Sequence, residues 1–101
     1  MPKLYEYIGV VIFFYSNEHE PIHVHGRHQG KESKAEILME EGEIVEIQIK
    51  TVPGKRPLES SQLADFKTFV AHYAEEIIQR WIDYFVYNRK IVSERITRRI
   101  R

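Results

Sequence analysis

The chain contains no cysteine among its 101 residues. That absence removes disulfides, zinc–thiolate sites and cysteine nucleophiles together. Any metal site would have to be built from His, Asp and Glu. Long apolar runs are missing too. A membrane helix needs about 20 predominantly apolar residues. The longest charge-free apolar run here, Ile8 to Tyr15, spans eight positions and includes Gly9. The first residues lack the basic, apolar and small-residue order of a signal peptide, so a cytoplasmic protein without membrane partners is expected. Internal repeats and low-complexity segments are also absent. The length fits one domain. A chain of this size buries enough surface to fold without a disulfide or a structural metal.

The balanced overall charge hides an asymmetry. From Arg89 to Arg101 there are six basic residues and one acidic one, a net +5 that the rest of the chain offsets with −5. Residues 1–88 are therefore read as a single domain and 89–101 as a basic tail. A basic tail on an acidic body suits contact with RNA, DNA or an acidic partner, with Arg95, Arg98, Arg99 and Arg101 as the contacts. The plainer reading is a solvated chain end.

The run Ile8–Tyr15 is β-branched and aromatic and reads as a strand buried on both faces. Asn17 to Pro21 reads as a polar loop. Ile22 to His28 alternates, with Ile22, Val24 and Gly26 on one face and His23, His25 and Arg27 on the other. Gln29-Gly30 has the composition of a two-residue hairpin turn. That turn sets a register in which Val24 faces Ala35, Ile22 faces Ile37, His23 faces Glu36, His25 faces Lys34 and Arg27 faces Glu32. A slip of one residue would set the histidines against Ala35 and Ile37. A further turn at Glu41-Gly42-Glu43 leads to a strand from about Ile44 to Lys50. Matching apolar faces then pairs Ile37 with Ile47 and Met39 with Val45, with Glu36 beside Gln48. That register demands an odd loop or a bulge near Gly42.

Pro53-Gly54 and Pro57 mark a connecting loop. Beyond it, apolar residues recur at Leu63, Phe66, Val70, Tyr73, Ile77, Trp81 and Tyr84, the spacing of an amphipathic helix. Ser60 or Ser61 is expected as its cap. The helix should reach about Tyr87, roughly 40 Å at 1.5 Å per residue. An overhang of that length would suit a homodimer. Val92, Ile96 and Ile100 fit a short strand or a short helix, and β-branching favours the strand. The expected architecture is α+β: an antiparallel four-stranded meander packed against one long C-terminal helix, with a short basic tail.

Chemistry, if present, belongs to the histidines. Four of the five (His19, His23, His25 and His28) fall within ten residues. His23 and His25 are two apart on a strand, so both rings leave the same face. With His19 and Glu36 they would form a sulfur-free set for a divalent transition metal such as zinc, iron, nickel or manganese. A metal-free alternative is acid–base catalysis on a phosphodiester, as in a small nuclease. His23 and His25 would exchange the proton there, and Arg27 or Lys34 would hold the phosphate. Plain RNA or DNA contact is a third possibility, with Tyr5, Tyr7 and Tyr15 as stacking surfaces. Against all three stands a sheet face on which the histidines simply pair with Glu36 and Glu32. Ser60-Ser61 lacks a partner at catalytic spacing, and Glu40–Glu43 lacks calcium-loop spacing.

Several segments occur in a distinctive order: Met1-Pro2 with a following apolar strand, Phe13-Phe14-Tyr15-Ser16-Asn17, His19-Glu20-Pro21-Ile22-His23-Val24-His25, and Gly30-Lys31-Glu32-Ser33-Lys34-Ala35. With the late helix near Trp81, they resemble the small prokaryotic proteins grouped as domain of unknown function 4160. The resemblance covers about residues 1–87. It departs at Ile22, where a second proline is frequent. The family has no established activity. Its genes are often described beside another small uncharacterised domain, and a toxin–antitoxin role has been suggested. The resemblance therefore implies an interaction module with a small companion protein and an RNA or DNA target. Any shared site would fall on His23 and His25 first, then His19 and Pro21.

Overall fold

A computed structural model describes residues 2–15 and 21–100. The elements run β1 (Lys3–Tyr7), β2 (Val10–Phe13), β3 (His23–His28), β4 (Lys31–Glu40), β5 (Glu43–Thr51), α1 (Ser60–Phe85) and β6 (Glu94–Ile96). The class is α+β with one long helix, as expected. The sheet differs: it has six strands in the order β5-β4-β3-β2-β1-β6, and the β1–β6 pair is parallel. The expected four-stranded antiparallel meander is therefore the β5-β4-β3-β2 side of a larger mixed sheet, which β1 and β6 extend at the other end.

The extra strand at the start, Lys3–Tyr7, lies ahead of the run Ile8–Tyr15 that was expected to be the first strand. Ile8 and Gly9 take φ of +45° and +82° and turn the chain back, so that Tyr7 pairs with Val10. The same device closes the other two hairpins, at Gln29-Gly30 and Glu41-Gly42, again with positive φ at both residues. Such turns match the right-handed twist of the strands they join. The His28 ring donates from Nδ1 to the Gly9 carbonyl at 2.8 Å, tying the first turn to the end of β3.

The β3–β4 register is the one the turn implies: His23 faces Glu36, Val24 faces Ala35, His25 faces Lys34 and Arg27 faces Glu32. Between β4 and β5, Ile37 faces Ile47 and Glu36 faces Gln48. The required bulge lies between Leu38 and Met39, earlier than Gly42, so Met39 meets Ile44 and not Val45.

Helix α1 spans 26 residues. It starts one residue before the expected serine cap. Glu59 is the N-cap and makes no side-chain cap bond, and Ser60 is already helical. At the other end Asn88 takes φ +54°, and the Arg89 amide donates to the Asp83 carbonyl six residues back, a helix-closing arrangement. One face of α1 buries Phe66, Phe69, Val70, Ala74, Ile77, Ile78 and Trp81. Phe69 lies between Tyr5 and Tyr7, with ring centres 4.9 and 5.0 Å away. Burying one such ring stabilises the fold by about 2–3 kcal/mol. Phe85 meets Phe14 at 5.6 Å, so the far end of the helix rests on the residue after β2, while the large apolar side chains Val86 and Tyr87 just beyond it are exposed. Gly26 makes the helix approach possible. A Cβ built there would stand 2.6 Å from the Phe66 ring.

The segment after the helix returns to the sheet. Its strand β6 pairs with β1, and Ile91, Ile96 and Ile100 pack on the core while Val92 faces solvent. Arg80 bonds the Val92 carbonyl, and the Ile100 amide donates to the Tyr7 hydroxyl at 3.0 Å. None of the described helices is long and apolar enough to cross a membrane.

Candidate functional site

The helix covers the sheet face that carries Val24, Ala35 and Ile37. His23 and His25 project from the other face, side by side, with ring centres 5.3 Å apart. Alternation along β3 puts them there. Neither ring is open to solvent: His23 is 6 % exposed and His25 4 %.

Burial of His25 follows from its neighbours. Phe13, directly opposite on β2, stacks on the ring at 5.5 Å, and Tyr15 meets it edge-on at 4.6 Å. His25 Nδ1 lies 3.1 Å from Oε2 of Glu32, and the Tyr15 hydroxyl donates to that same oxygen at 2.9 Å. Glu32 is 0 % exposed. A carboxylate can only accept, so Nδ1 of His25 carries the proton and Nε2 is the acceptor in the neutral ring. His23 has the same tautomer for a parallel reason. Its Nδ1 donates to the Pro21 carbonyl at 2.7 Å. Both rings are thus anchored through Nδ1.

Two basic residues, Arg27 and Lys34, share this face with the pair. Arg27, two residues along β3, places its guanidinium 5.0 Å from the centre of the Phe13 ring, a cation–π contact. Lys34 lies across from His25. Glu36 faces His23 in the register, yet its carboxylate pairs with Lys50 at 3.1 Å and Lys34 at 3.7 Å. His19 lies outside the described residues. Among those residues, no group of three or more His, Cys, Asp or Glu is placed to hold a metal ion. The structure thus brings together His23, His25 and Arg27 from the sequence-derived set. It adds Glu32, Tyr15 and Phe13 as the groups that hold His25. The register itself held a signal for Glu32, which sits diagonally from His25 across the ladder, within reach of a long side chain.

The arginines of the tail lie elsewhere and are tied to the body. Arg95 reaches Glu6 at 3.4 Å, and Arg99 reaches Asp65 at 2.8 Å. Lys3 and Arg95 together hold the Glu6 carboxyl below its usual value, the Lys3 hydrogen bond contributing most. Arg98 is exposed, and Arg101 lies outside the described residues.

No curated protein and no solved structure significantly matches this chain. A family model does, over residues 9–82, a span that takes in β2 to β5, the histidine strand among them, and nearly all of α1. The chain therefore belongs to the family described as domain of unknown function DUF4160.

Proposed function

We propose that this protein is a small, metal-independent acid–base catalyst acting on phosphodiesters, with RNA as substrate. In this reading it is the effector half of a toxin–antitoxin-like gene pair and works in the cytoplasm beside a small companion protein. One observation supports the reading above others: two adjacent imidazoles on one sheet face, each fixed by its Nδ1 bond in the same tautomer. Acid–base catalysis needs two such groups within hydrogen-bond reach of one substrate, one taking a proton and one giving it. A metal site would need a third donor, and His19 and Glu36 were the residues expected to supply it. Glu36 is committed to two lysines, so the described residues favour the route that needs only the two rings.

The step balances as follows. His23 Nε2 accepts the proton of a ribose 2′-hydroxyl as its oxygen attacks phosphorus. His25, entering as the imidazolium, gives the proton on Nε2 to the departing 5′-oxygen as the P–O5′ bond breaks. A 2′,3′-cyclic phosphate and a free 5′-hydroxyl result. Arg27 and Lys34 balance the phosphate charge, while Glu32 holds the His25 ring in orientation.

The test is incubation of the purified protein with a short end-labelled RNA in excess chelator. Cleavage leaving cyclic phosphate ends is expected. It should fall by about a hundredfold or more in His23→Ala and in His25→Ala, the usual range for one lost acid or base. Activity that needs added Zn²⁺ or Mn²⁺ would move the site to the metal reading. A folded protein that leaves RNA intact over long incubation would eliminate catalysis. The burial of both rings supports a second reading for that case. In it, the histidines are structural and the chain is a non-catalytic module that binds its companion protein.

A further inference from the structure

We propose that strand β5 pairs edge to edge with β5 of a second copy of this chain, in an antiparallel register centred on Gln48. β5 forms one outer edge of the sheet, so one side of its nine-residue backbone has no partner strand among the described residues. An edge of that length is a template for strand addition. Its side chains also leave apolar surface uncovered. Ile44, Ile47 and Ile49 are only partly buried, and Val45 is 58 % exposed. Two grooves run between β5 and the helix. One, of about 340 Å³, is lined by Ile47, Ile49, Lys67, Thr68 and Ala71. The other, of about 610 Å³, reaches from Met39 and Ile44 to Ile78.

The charges on β5 select the occupant and the register. An antiparallel pairing of β5 with itself keeps each side chain on its own face only when the paired residue numbers sum to an even value. Among such registers, the one centred on Gln48 sets Glu46 opposite Lys50, and by symmetry does so twice. Registers centred on Glu46 or on Lys50 put like charges face to face, which is destabilising. The Gln48 register also pairs Ile47 with Ile49, again twice, on the helix side. The two-fold axis would stand perpendicular to the sheet, so both helices would lie on one side and the grooves beside the two β5 strands would meet. Lys50 already contacts Glu36 at 3.1 Å, and Glu46 of the other copy would approach it from the open edge. Nothing in this inference depends on the histidines being catalytic.

The absence of cysteine makes the register directly readable. Directly opposed antiparallel residues have Cα atoms about 4.5–5.5 Å apart, within disulfide range. Gln48→Cys should therefore give a covalent dimer under mild oxidation. Thr51→Cys should not, because its two copies would be offset by six positions, roughly 20 Å along the strands. Sedimentation velocity of the wild-type chain should show a dimer. Glu46→Lys should weaken it about tenfold or more, and the exchange Glu46→Lys with Lys50→Glu should restore it. A wild-type chain that stays monomeric up to high micromolar concentration overturns the proposal. So does a dimer that ignores Glu46→Lys, or one in which Thr51→Cys crosslinks and Gln48→Cys does not.

Discussion

Glu32 and His25 meet diagonally across the β3–β4 ladder, with Oε2 of the one 3.1 Å from Nδ1 of the other. Arg27 is the residue directly opposite Glu32, but its guanidinium lies over Phe13, and the carboxylate turns to the imidazole and to the Tyr15 hydroxyl. Glu32 thus links His25 and Tyr15 on the sheet face away from the helix.

Removal of Glu32 should therefore be costly. Glu32→Ala removes the acceptor of the Tyr15 and His25 hydrogen bonds and opens a cavity, and should lower stability by about 3 kcal/mol. Tyr15→Phe removes one hydrogen bond and should cost about 1 kcal/mol. Urea unfolding measures both. A Glu32→Ala loss no larger than that of Tyr15→Phe would show that the carboxylate is not the anchor. Long-range ¹⁵N–¹H spectra of the imidazoles check the tautomers independently. Both His23 and His25 should carry the proton on Nδ1 at neutral charge.

The hairpin around the histidines was legible because two independent constraints agreed. The Gln29-Gly30 turn set the pairing, and the apolar faces of β3 and β4 matched only in that register. From it followed the shared direction of His23 and His25 and the positions of Glu36 and Lys34. What escaped was what needs side-chain direction or an atypical turn residue. Ile8-Gly9 does not read as a turn, because a β-branched residue is a poor choice for positive φ. The run Ile8–Tyr15 therefore reads as one strand from its first residue, and β1 ahead of it has no turn signal to set it off. The Glu32–His25 contact falls within the plain reading in which the histidines pair with Glu36 and Glu32, but register gives only opposite neighbours, so it did not say which histidine Glu32 meets across the diagonal. β6 was only half legible: its β-branched residues suggested a strand, but a parallel partner at the other end of the chain leaves no local trace.

Ile8 at φ +45° gives a stabilising substitution. A left-handed conformation costs an ordinary L-residue roughly 1–2 kcal/mol, and Asn adopts it with far less penalty. Ile8 is partly exposed, so little burial is lost on replacement. Ile8→Asn should raise stability by about 0.5–1 kcal/mol. A thermal midpoint below that of the wild type would mean that the Ile8 side chain contributes more packing than its exposure suggests.

The contact of Gly26 with Phe66 can be tested as a pair. Gly26→Ala puts a methyl group into the Phe66 ring, because the Cβ would stand 2.6 Å from it. The expected loss is about 1–3 kcal/mol, the usual range for overpacking. Phe66→Leu alone leaves a gap and costs a similar amount. Combined, the two should lose less than their sum, since the smaller side chain makes room for the methyl. Strict additivity would mean that the helix shifts as a body in response to Gly26→Ala.

Alkaline pH should unfold this protein through Tyr5. Burial is the main cause that raises its hydroxyl far above the ordinary value of 10.0, and the hydrogen bond to Glu76, 2.6 Å long, adds to it. Arg80, its guanidinium 4.8 Å from the Tyr5 ring centre, acts in the opposite direction but does not prevail. The folded state therefore keeps the Tyr5 proton at a pH where the unfolded chain has released it. Below about pH 10 both states are protonated, and stability does not depend on this group. Above it the unfolded state binds fewer protons, so stability falls as pH rises towards the folded-state value. Tyr5→Phe removes that dependence and also one hydrogen bond. It should be less stable than the wild type at pH 8, with a shallower decline between pH 10 and 11.5. Parallel declines for the two proteins, followed by urea titration at each pH, would transfer the alkaline sensitivity to another group.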